Sequence, residues 1–206
     1  MKQERKEGST RRPLPRLPAG VAAAAPDVVG ALRRVIELCG RPPPTGAPKR
    51  LDTLFRELRR EKPPRGAEET GDLIWALWTD HAQPEAVDAM HAAIGQIVAK
   101  EGDKARDALD ELCRRYPDWA EAWNKRATLA FMETRDADAL ADIIQTLTRE
   151  PRHYGALAGF GQIALRQGHP AVALAAYECA LALNPHLTEL DKAAQDLRGL
   201  YLGRPN

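Results

Sequence analysis

A 34-residue period runs through the second half of this 206-residue chain. Its clearest markers are three prolines, Pro117, Pro151 and Pro185, which follow one another at intervals of 34 residues. Two columns of small residues keep the same interval: Ala93, Ala127 and Gly161 in one, and Ala105, Ala139 and Ala173 in the other. Three columns sharing one period of roughly 20 to 50 residues predict a solenoid of stacked repeats.

The period divides the central part of the chain into three repeats, 86–119, 120–153 and 154–187. Each repeat contains two segments with apolar residues at helical spacing, so each is predicted to be a hairpin of two antiparallel helices. The small residues allow the two helices to approach closely. The prolines end each second helix, because proline lacks an N–H group and disfavours helix in the residue before it.

The segments on either side of the repeats are also predicted to be helical. Residues 50–85 hold two helical segments separated at Pro63 and Pro64, and they fit the period loosely. We interpret them as a degenerate hairpin that caps the array, because terminal repeats are usually atypical. Residues 188–201 begin with a capping-box-like sequence and carry apolar residues along one face, which predicts a C-terminal capping helix.

Residues 1–49 differ in composition from the rest of the chain. Ten of the 16 prolines lie at or before Pro64, which favours a flexible, Pro/Arg-rich tail, with one short helix at 26–39 as an option. Residues 1–66 carry 16 Lys and Arg against 7 Asp and Glu, a net charge of +9, whereas residues 67–206 carry 14 against 22, a net charge of −8. Such a basic segment is able to contact nucleic acid, a membrane surface or the acidic repeats.

Targeting signals and cysteines constrain the compartment only weakly. No apolar run approaches the ~20 residues of a membrane-spanning helix, and prolines interrupt the apolar core that a secretory signal needs. We therefore expect a cytoplasmic protein as the sequence stands, with a periplasmic location as the alternative if the N-terminus is misassigned. The three cysteines, Cys39, Cys113 and Cys179, form no metal-binding motif and are interpreted as buried free thiols.

The repeat positions resemble those of tetratricopeptide repeats, whose pattern is W-x2-L-G-x2-Y, then A-x3-F, then P. The third repeat agrees best, with Leu157, Phe160, Gly161, Ala173, Tyr177 and Pro185. The second departs at Arg126 and Ala130, and the first at Ala89 and Ala92. In size the array is similar to small bacterial proteins with three to four such repeats. The resemblance implies an all-α fold, a right-handed superhelix of antiparallel helical hairpins.

The sequence lacks the glycine-rich phosphate loop, the dinucleotide-binding motif and the nucleophile motif of common enzyme families. We therefore predict no catalytic activity, no cofactor and no metal. The resemblance implies instead a protein–protein interaction module that binds a peptide or helix in a groove lined by the first helix of each repeat. The groove residues that this implies are Met90, Ile94, Asn124, Lys125, Thr128, Phe131, Met132, Gln162, Leu165 and Arg166.

Several alternatives remain open. Trp119 lies between two repeats and is interpreted either as junction packing or as a binding hot spot. The hairpin at 50–81 is a candidate to cover Met90, Ile94 and Ile97. The clamp by which chaperone-binding relatives hold a C-terminal carboxylate is absent from the matching positions. Two other functions are a nucleic-acid-associated protein that uses the basic N-terminal tail and the regulatory subunit of an enzyme. Partner identity and oligomeric state do not follow from the sequence.

Overall fold

The computed structural model describes residues 26–43, 45 and 48–202. Residues 1–25 of the predicted flexible tail lie outside the described residues. Over the described ranges the fold is all-α, and no strand occurs in them. The helices are α1 (Pro26–Cys39), α2 (Lys49–Leu58), α3 (Ala67–Thr79), α4 (Pro84–Val98), α5 (Gly102–Arg115), α6 (Ala120–Met132), α7 (Asp136–Arg149), α8 (Tyr154–Arg166), α9 (Pro170–Leu183) and α10 (Thr188–Leu202). None of these helices is long and apolar enough to cross a membrane.

The 34-residue period of the sequence is also the period of the helix boundaries. The second helices α5, α7 and α9 end at Arg115, Arg149 and Leu183. The helices that follow the three prolines, α6, α8 and α10, begin at Ala120, Tyr154 and Thr188. Each series advances by 34 residues, so the chain is built as an array of helical hairpins, as predicted.

The turn inside each hairpin uses a left-handed residue at the same repeat position. These residues are Lys100, Thr134 and Gly168, with φ angles of 60°, 59° and 78°. Beside Thr134, the N–H of Arg135 donates to the carbonyl of Ala130 at 2.8 Å, which closes the end of α6 in the way typical of helix C-termini. Glycine adopts this conformation freely, whereas a β-branched threonine is strained there.

Close packing inside the third hairpin depends on the absence of a side chain at Gly161. A Cβ atom built there would lie 2.6 Å from Cδ1 of Tyr177 and closer still to Cε1 of the same ring. Real Cβ atoms do not approach a ring this closely, so Tyr177 fills the space that glycine leaves. In the third repeat, the small residue on the first helix therefore faces a large residue on the second helix.

Arg126 explains one departure from the family pattern. The guanidinium of Arg126 donates to both carboxylate oxygens of Asp142 at 2.8 Å and to Asp110 at 2.8 Å. Asp142 is buried, and its hydrogen bonds raise the pKa of Arg126. A bidentate ion pair therefore joins α6 to α7 at a position where an apolar side chain is usual.

The first helices of the hairpins contact one another along the array. Helix α4 contacts α6, and α6 contacts α8. At the far end α10 packs on α9 and buries Ala194 and Leu197.

Helix α1 lies on the other side of the array, against α7 and α9. It spans the residues of the short helix considered from the sequence, and it buries Ala31, Leu32, Val35 and Leu38. The N-terminal part of the described chain is thus attached to the second helices of repeats that follow it by more than 100 residues.

The hairpin of α2 and α3 packs at a different place from the one expected of a cap. Its own core consists of Leu51, Leu54, Phe55, Leu58, Ile74 and Trp78. Tyr154 at the start of α8 and Leu183 at the end of α9 pack against this core, and α3 contacts α6. The hairpin therefore lies along the N-terminal ends of α6 and α8 rather than stacked on α4. The division of the chain into repeats and caps stays a prediction.

We predict that Gly161→Ala lowers the free energy of unfolding by about 2 kcal/mol, because Tyr177 must move to admit the new Cβ. The matched control is Gly159→Ala on the same helix. A Cβ there meets only Cδ1 of Ile143, at 3.8 Å, and a helical alanine is favoured over glycine by up to ~1 kcal/mol. Urea unfolding measures both. Equal effects of the two substitutions would contradict the packing described.

Candidate partner-binding surface

The residues predicted to line the groove occupy three different environments. Met90 and Trp119 are buried. Ile94, Asn124, Lys125 and Phe131 are half-buried. Thr128, Met132, Gln162, Leu165 and Arg166 are exposed. The structure thus brings some of them together on one surface and places others beneath it.

Met90 and Trp119 both belong to the core of the first repeat. Met90 belongs to the same core cluster as Leu109 and Leu112 of α5 and Leu129 of α6, and no residue of α2 or α3 is part of that cluster. Trp119 is 8% exposed, and its Nε1 donates to the backbone carbonyl of Trp78 at 2.8 Å. As placed here, Trp119 joins α3 to the turn between α5 and α6.

Aromatic contacts attach the α2–α3 hairpin to the start of α8. The indole of Trp78 stacks on the imidazole of His153, with ring centroids 4.0 Å apart and an angle of 14° between the planes. Phe55 meets Tyr154 edge to face at 6.3 Å. The guanidinium of Arg152 lies 4.8 Å from the Phe55 ring centroid. Each contact pairs a ring of the hairpin with residues at or just before the first turn of α8.

The same hairpin makes polar contacts with three successive turns between repeats. In the first turn, the indole N–H of Trp119 donates to the backbone carbonyl of Trp78. In the second, Arg152 Nη1 lies 2.5 Å from Asp52 Oδ1. In the third, His186 Nε2 donates to the backbone carbonyl of Arg60 at 2.9 Å. Because these turns lie 34 residues apart in sequence, the hairpin ties consecutive repeats together along one edge.

A buried carboxylate lies next to the Trp78–His153 stack. Glu121 is 1% exposed, and its Oε1 lies 2.8 Å from Lys125 Nζ. The N–H of Ala156 donates to Nδ1 of His153 at 3.1 Å. Nδ1 therefore accepts a hydrogen bond, and Nε2 donates to Glu121 Oε2 at 2.8 Å. Asn124 Nδ2 adds a hydrogen bond to Oε2 at 3.1 Å.

These partners keep Glu121 ionised. Burial alone raises the pKa of Glu121, but the hydrogen bond from His153 and the charge of Lys125 outweigh it and leave the pKa below that of a free glutamate. The carboxylate holds His153 in one tautomer and orientation. It therefore fixes the ring on which Trp78 stacks. At this end of α6, the predicted groove residue Lys125 lies against Trp75 of the α2–α3 hairpin.

The opposite ends of the first helices carry exposed apolar side chains. Val98, Met132 and Leu165 are 78%, 55% and 38% exposed. They lie in the last turns of α4, α6 and α8, three helices that contact one another in that order. We call these three side chains the apolar row. Ile94 and Phe131, both half-buried, belong to the same ends of α4 and α6.

Polar groups next to the apolar row are held in fixed positions. Arg166 forms an ion pair with Asp136, donates to the carbonyl of Phe131 at 3.0 Å, and lies 3.9 Å from the centroid of the Phe131 ring. Gln167 also donates to Asp136 at 3.1 Å. Arg166 is therefore a positioned and charge-compensated group, whereas the neighbouring Gln162 is exposed to solvent.

Two features of this surface were not anticipated from the sequence. Trp75 is about half exposed on α3, and Lys125 Nζ lies 5.9 Å from the centroid of its ring. The Glu121–His153 pair also joins two repeats through residues that look unremarkable in the sequence. Neither feature has a local signal, because each depends on where the α2–α3 hairpin docks.

Metal centres and pockets are two further classes of candidate site. In the described ranges no group of three His, Cys, Asp or Glu side chains is arranged to hold a metal ion. A mostly apolar depression of about 200 Å³ lies between α4 and α5, with Ala89, Ala92, Ala108 and Leu112 among its lining residues. It marks the open end of the array, since the α2–α3 hairpin packs elsewhere.

The buried carboxylate predicts a specific pH dependence. Because its folded-state pKa is lowered, Glu121 contributes stability above the ordinary glutamate pKa of about 4.3, and that contribution disappears as the pH falls through the folded-state value. Glu121→Gln should lower the free energy of unfolding by about 2 kcal/mol at pH 7, and the difference from wild type should shrink below pH ~4. Urea unfolding at a series of pH values measures this.

The exposed Glu61, in the turn between α2 and α3, provides the control for that experiment. Glu61→Gln should leave stability unchanged at every pH. A difference between wild type and Glu121→Gln that stayed constant down to acid pH would show that the charge of Glu121 is not what stabilises the contact.

Comparison with known proteins identifies the family. The chain is similar to a TPR repeat-containing protein of Rhizobium etli, with 37% identity over 153 residues that cover 74% of this chain and 73% of that protein. No family model matches the chain. The long sequence match agrees with the 34-residue period of helical hairpins, and the chain therefore belongs to the tetratricopeptide repeat proteins.

Proposed function

We propose that this protein is a non-catalytic interaction module that binds an apolar segment of a partner protein, a peptide or a helix, across the apolar row. The observation that carries the proposal is the exposure of Val98, Met132 and Leu165 on three adjacent first helices. Isolated exposed apolar residues are common on protein surfaces, but several at the same end of neighbouring helices are typical of a binding site.

The physical properties of the row suit recognition of an amphipathic segment. Its side chains project from helices whose positions are fixed by the hairpin cores, so binding orders little of the protein. A partner with apolar residues at helical or alternating spacing would place them against successive repeats. Exposed Thr128 and Gln162 next to the row supply hydrogen-bonding groups that set direction.

The α2–α3 hairpin limits where such a segment binds. It occupies the N-terminal ends of α6 and α8 through Trp78, Phe55 and Asp52. The partner is therefore directed to the other ends of these helices. Trp75 and Lys125 border the covered part and offer an aromatic ring and a positive charge at the edge of the site.

A scaffolding role agrees with the family and with the chemistry of the charged residues. Tetratricopeptide repeat proteins generally act as non-catalytic interaction scaffolds. In this chain Glu121 of α6 is paired with His153 at the start of α8, and Arg126 of α6 is paired with Asp142 of α7 and Asp110 of α5. The contacts of Glu121 with His153 and of Arg126 with Asp110 join neighbouring repeats, and the proposal assigns these charges no chemical step.

We predict that a photo-crosslinking amino acid at Met132 captures a partner in lysate of the source organism, whereas the same amino acid at Leu200 does not. Leu200 is the matched control, because it is 77% exposed but lies on α10 away from the row. Mass spectrometry of the crosslinked peptide identifies the bound segment. That segment should carry apolar residues at helical or alternating spacing.

A synthetic peptide of the captured segment then tests the surface quantitatively. Met132→Glu should weaken its binding at least about tenfold, because a charge replaces a buried apolar contact, while Leu200→Glu should leave the dissociation constant unchanged. Capture through Leu200 alone, or equal affinity of both variants, would contradict the proposal. A nucleic acid captured at Met132 in place of a peptide would contradict the proposed class of partner.

A further inference from the structure

Two of the three cysteines are brought together by the fold. Cys39 is the last residue of α1, and Cys179 lies in the middle of α9. Although 140 residues separate them in sequence, their sulfur atoms are 3.3 Å apart. The sequence offered no sign of this pairing, since it required α1 to dock on the second helices.

The two thiols differ in access. Cys39 is partly exposed at the helix end, whereas Cys179 is buried in the core shared by α1, α7 and α9. The hydrogen bond between the two sulfur atoms lowers the pKa of Cys39, and the same contact together with burial raises the pKa of Cys179. Cys39 is therefore the thiol that meets reagents from solvent, with Cys179 directly behind it.

We infer that Cys39 and Cys179 are a redox-sensitive thiol pair, which oxidation by a low-molecular-weight disulfide converts into a disulfide bond that locks α1 onto α9. The bond length of a disulfide is about 2.05 Å, so the sulfur atoms need to approach by only about 1.2 Å. Cys39 ends its helix and is followed by Gly40 in a turn, which leaves room for this small shift.

The reaction balances with oxidised glutathione as the oxidant. The Cys39 thiolate attacks one sulfur of glutathione disulfide, the S–S bond breaks, and one glutathione leaves with the proton that Cys39 released. Cys179 then attacks the Cys39 sulfur of the mixed disulfide, and its proton goes to the second departing glutathione. Two protein thiols are oxidised, and one glutathione disulfide is reduced to two thiols.

The consequence for the fold follows from what α1 covers. Its buried side chains Ala31, Leu32, Val35 and Leu38 shield the outer faces of α7 and α9. In the reduced protein, noncovalent packing alone retains α1 on this surface. In the oxidised protein α1 is tethered, so the apolar face beneath it stays covered. The device acts on the second helices α7 and α9, whereas the apolar row lies on the first helices.

The third cysteine provides an internal control. Cys113 lies in α5, in the separate core of the first repeat, and burial raises its pKa to about 12. It is therefore expected to stay a free thiol under conditions that oxidise the pair. The matched variants are Cys39→Ser, which removes the accessible partner, and Cys113→Ser, which leaves the pair intact.

The test treats the full chain with glutathione redox buffers and reads three quantities. Peptide mapping without reduction should show a Cys39–Cys179 crosslink and a mass lower by two hydrogen atoms. The thermal midpoint should rise by about 5 °C or more, because a long loop is closed. Hydrogen exchange of α1 amides should slow at least about tenfold. All three changes should occur in Cys113→Ser and be absent from Cys39→Ser.

Other results would overturn the inference. A glutathione adduct that persists on Cys39 would show that Cys179 does not resolve it. A disulfide between two chains, or no loss of thiols in protein whose circular dichroism remains native, would show that the pair does not close. A crosslink that left exchange of α1 unchanged would remove the proposed effect on helix release.

Discussion

The carboxylate of Glu121 is buried at the point where three parts of the chain meet. It lies in the first turn of α6, accepts a hydrogen bond from His153 at the start of α8, and so supports the ring on which Trp78 of α3 stacks. A buried charge is costly unless it is paired and hydrogen-bonded. The pairing with His153, Lys125 and Asn124 meets that requirement when the second and third repeats are in place, and Trp78 of the α2–α3 hairpin stacks on the His153 ring that takes part in it.

The first helices of the repeats therefore present two different regions. At the N-terminal ends of α6 and α8, the hairpin occupies positions that the family resemblance assigned to a ligand, and it contacts three successive turns between repeats. At the C-terminal ends, Val98, Met132 and Leu165 remain uncovered. The proposed partner site is therefore what the chain's own hairpin leaves open, bordered by Trp75 and Lys125.

The sequence predicted the helices both inside and outside the repeats, but it did not predict where α1 and the α2–α3 hairpin pack. The prolines and small residues predict the helix boundaries and the close contact of Gly161 with Tyr177, because each of these features depends on residues within one repeat. The docking of α1 and of the α2–α3 hairpin depends on single long-range contacts, such as Trp78 with His153, that no periodicity announces. The Cys39–Cys179 pair escaped for the same reason.

The candidate site was predictable in part. Family-derived positions led to Met132, Leu165 and Arg166, which are exposed, but also to Met90, which α5 and α6 bury. Repeat position alone cannot distinguish these cases, because burial at the first repeat depends on which side chains the neighbouring helices supply. Arg126 shows the same limit. Its place in the pattern called for an apolar side chain, and only the buried Asp142 explains the arginine.

The Trp78–His153 stack docks the α2–α3 hairpin on α8. Hydrogen exchange followed by mass spectrometry tests this contact most directly, with Trp78→Ala compared to Trp75→Ala, a change of an exposed tryptophan on the same helix. We predict that Trp78→Ala speeds exchange in α2, α3 and the first turn of α8 by at least about tenfold, with α4 and α5 unaffected and Trp75→Ala near wild type. Unchanged protection of the hairpin in Trp78→Ala would contradict it.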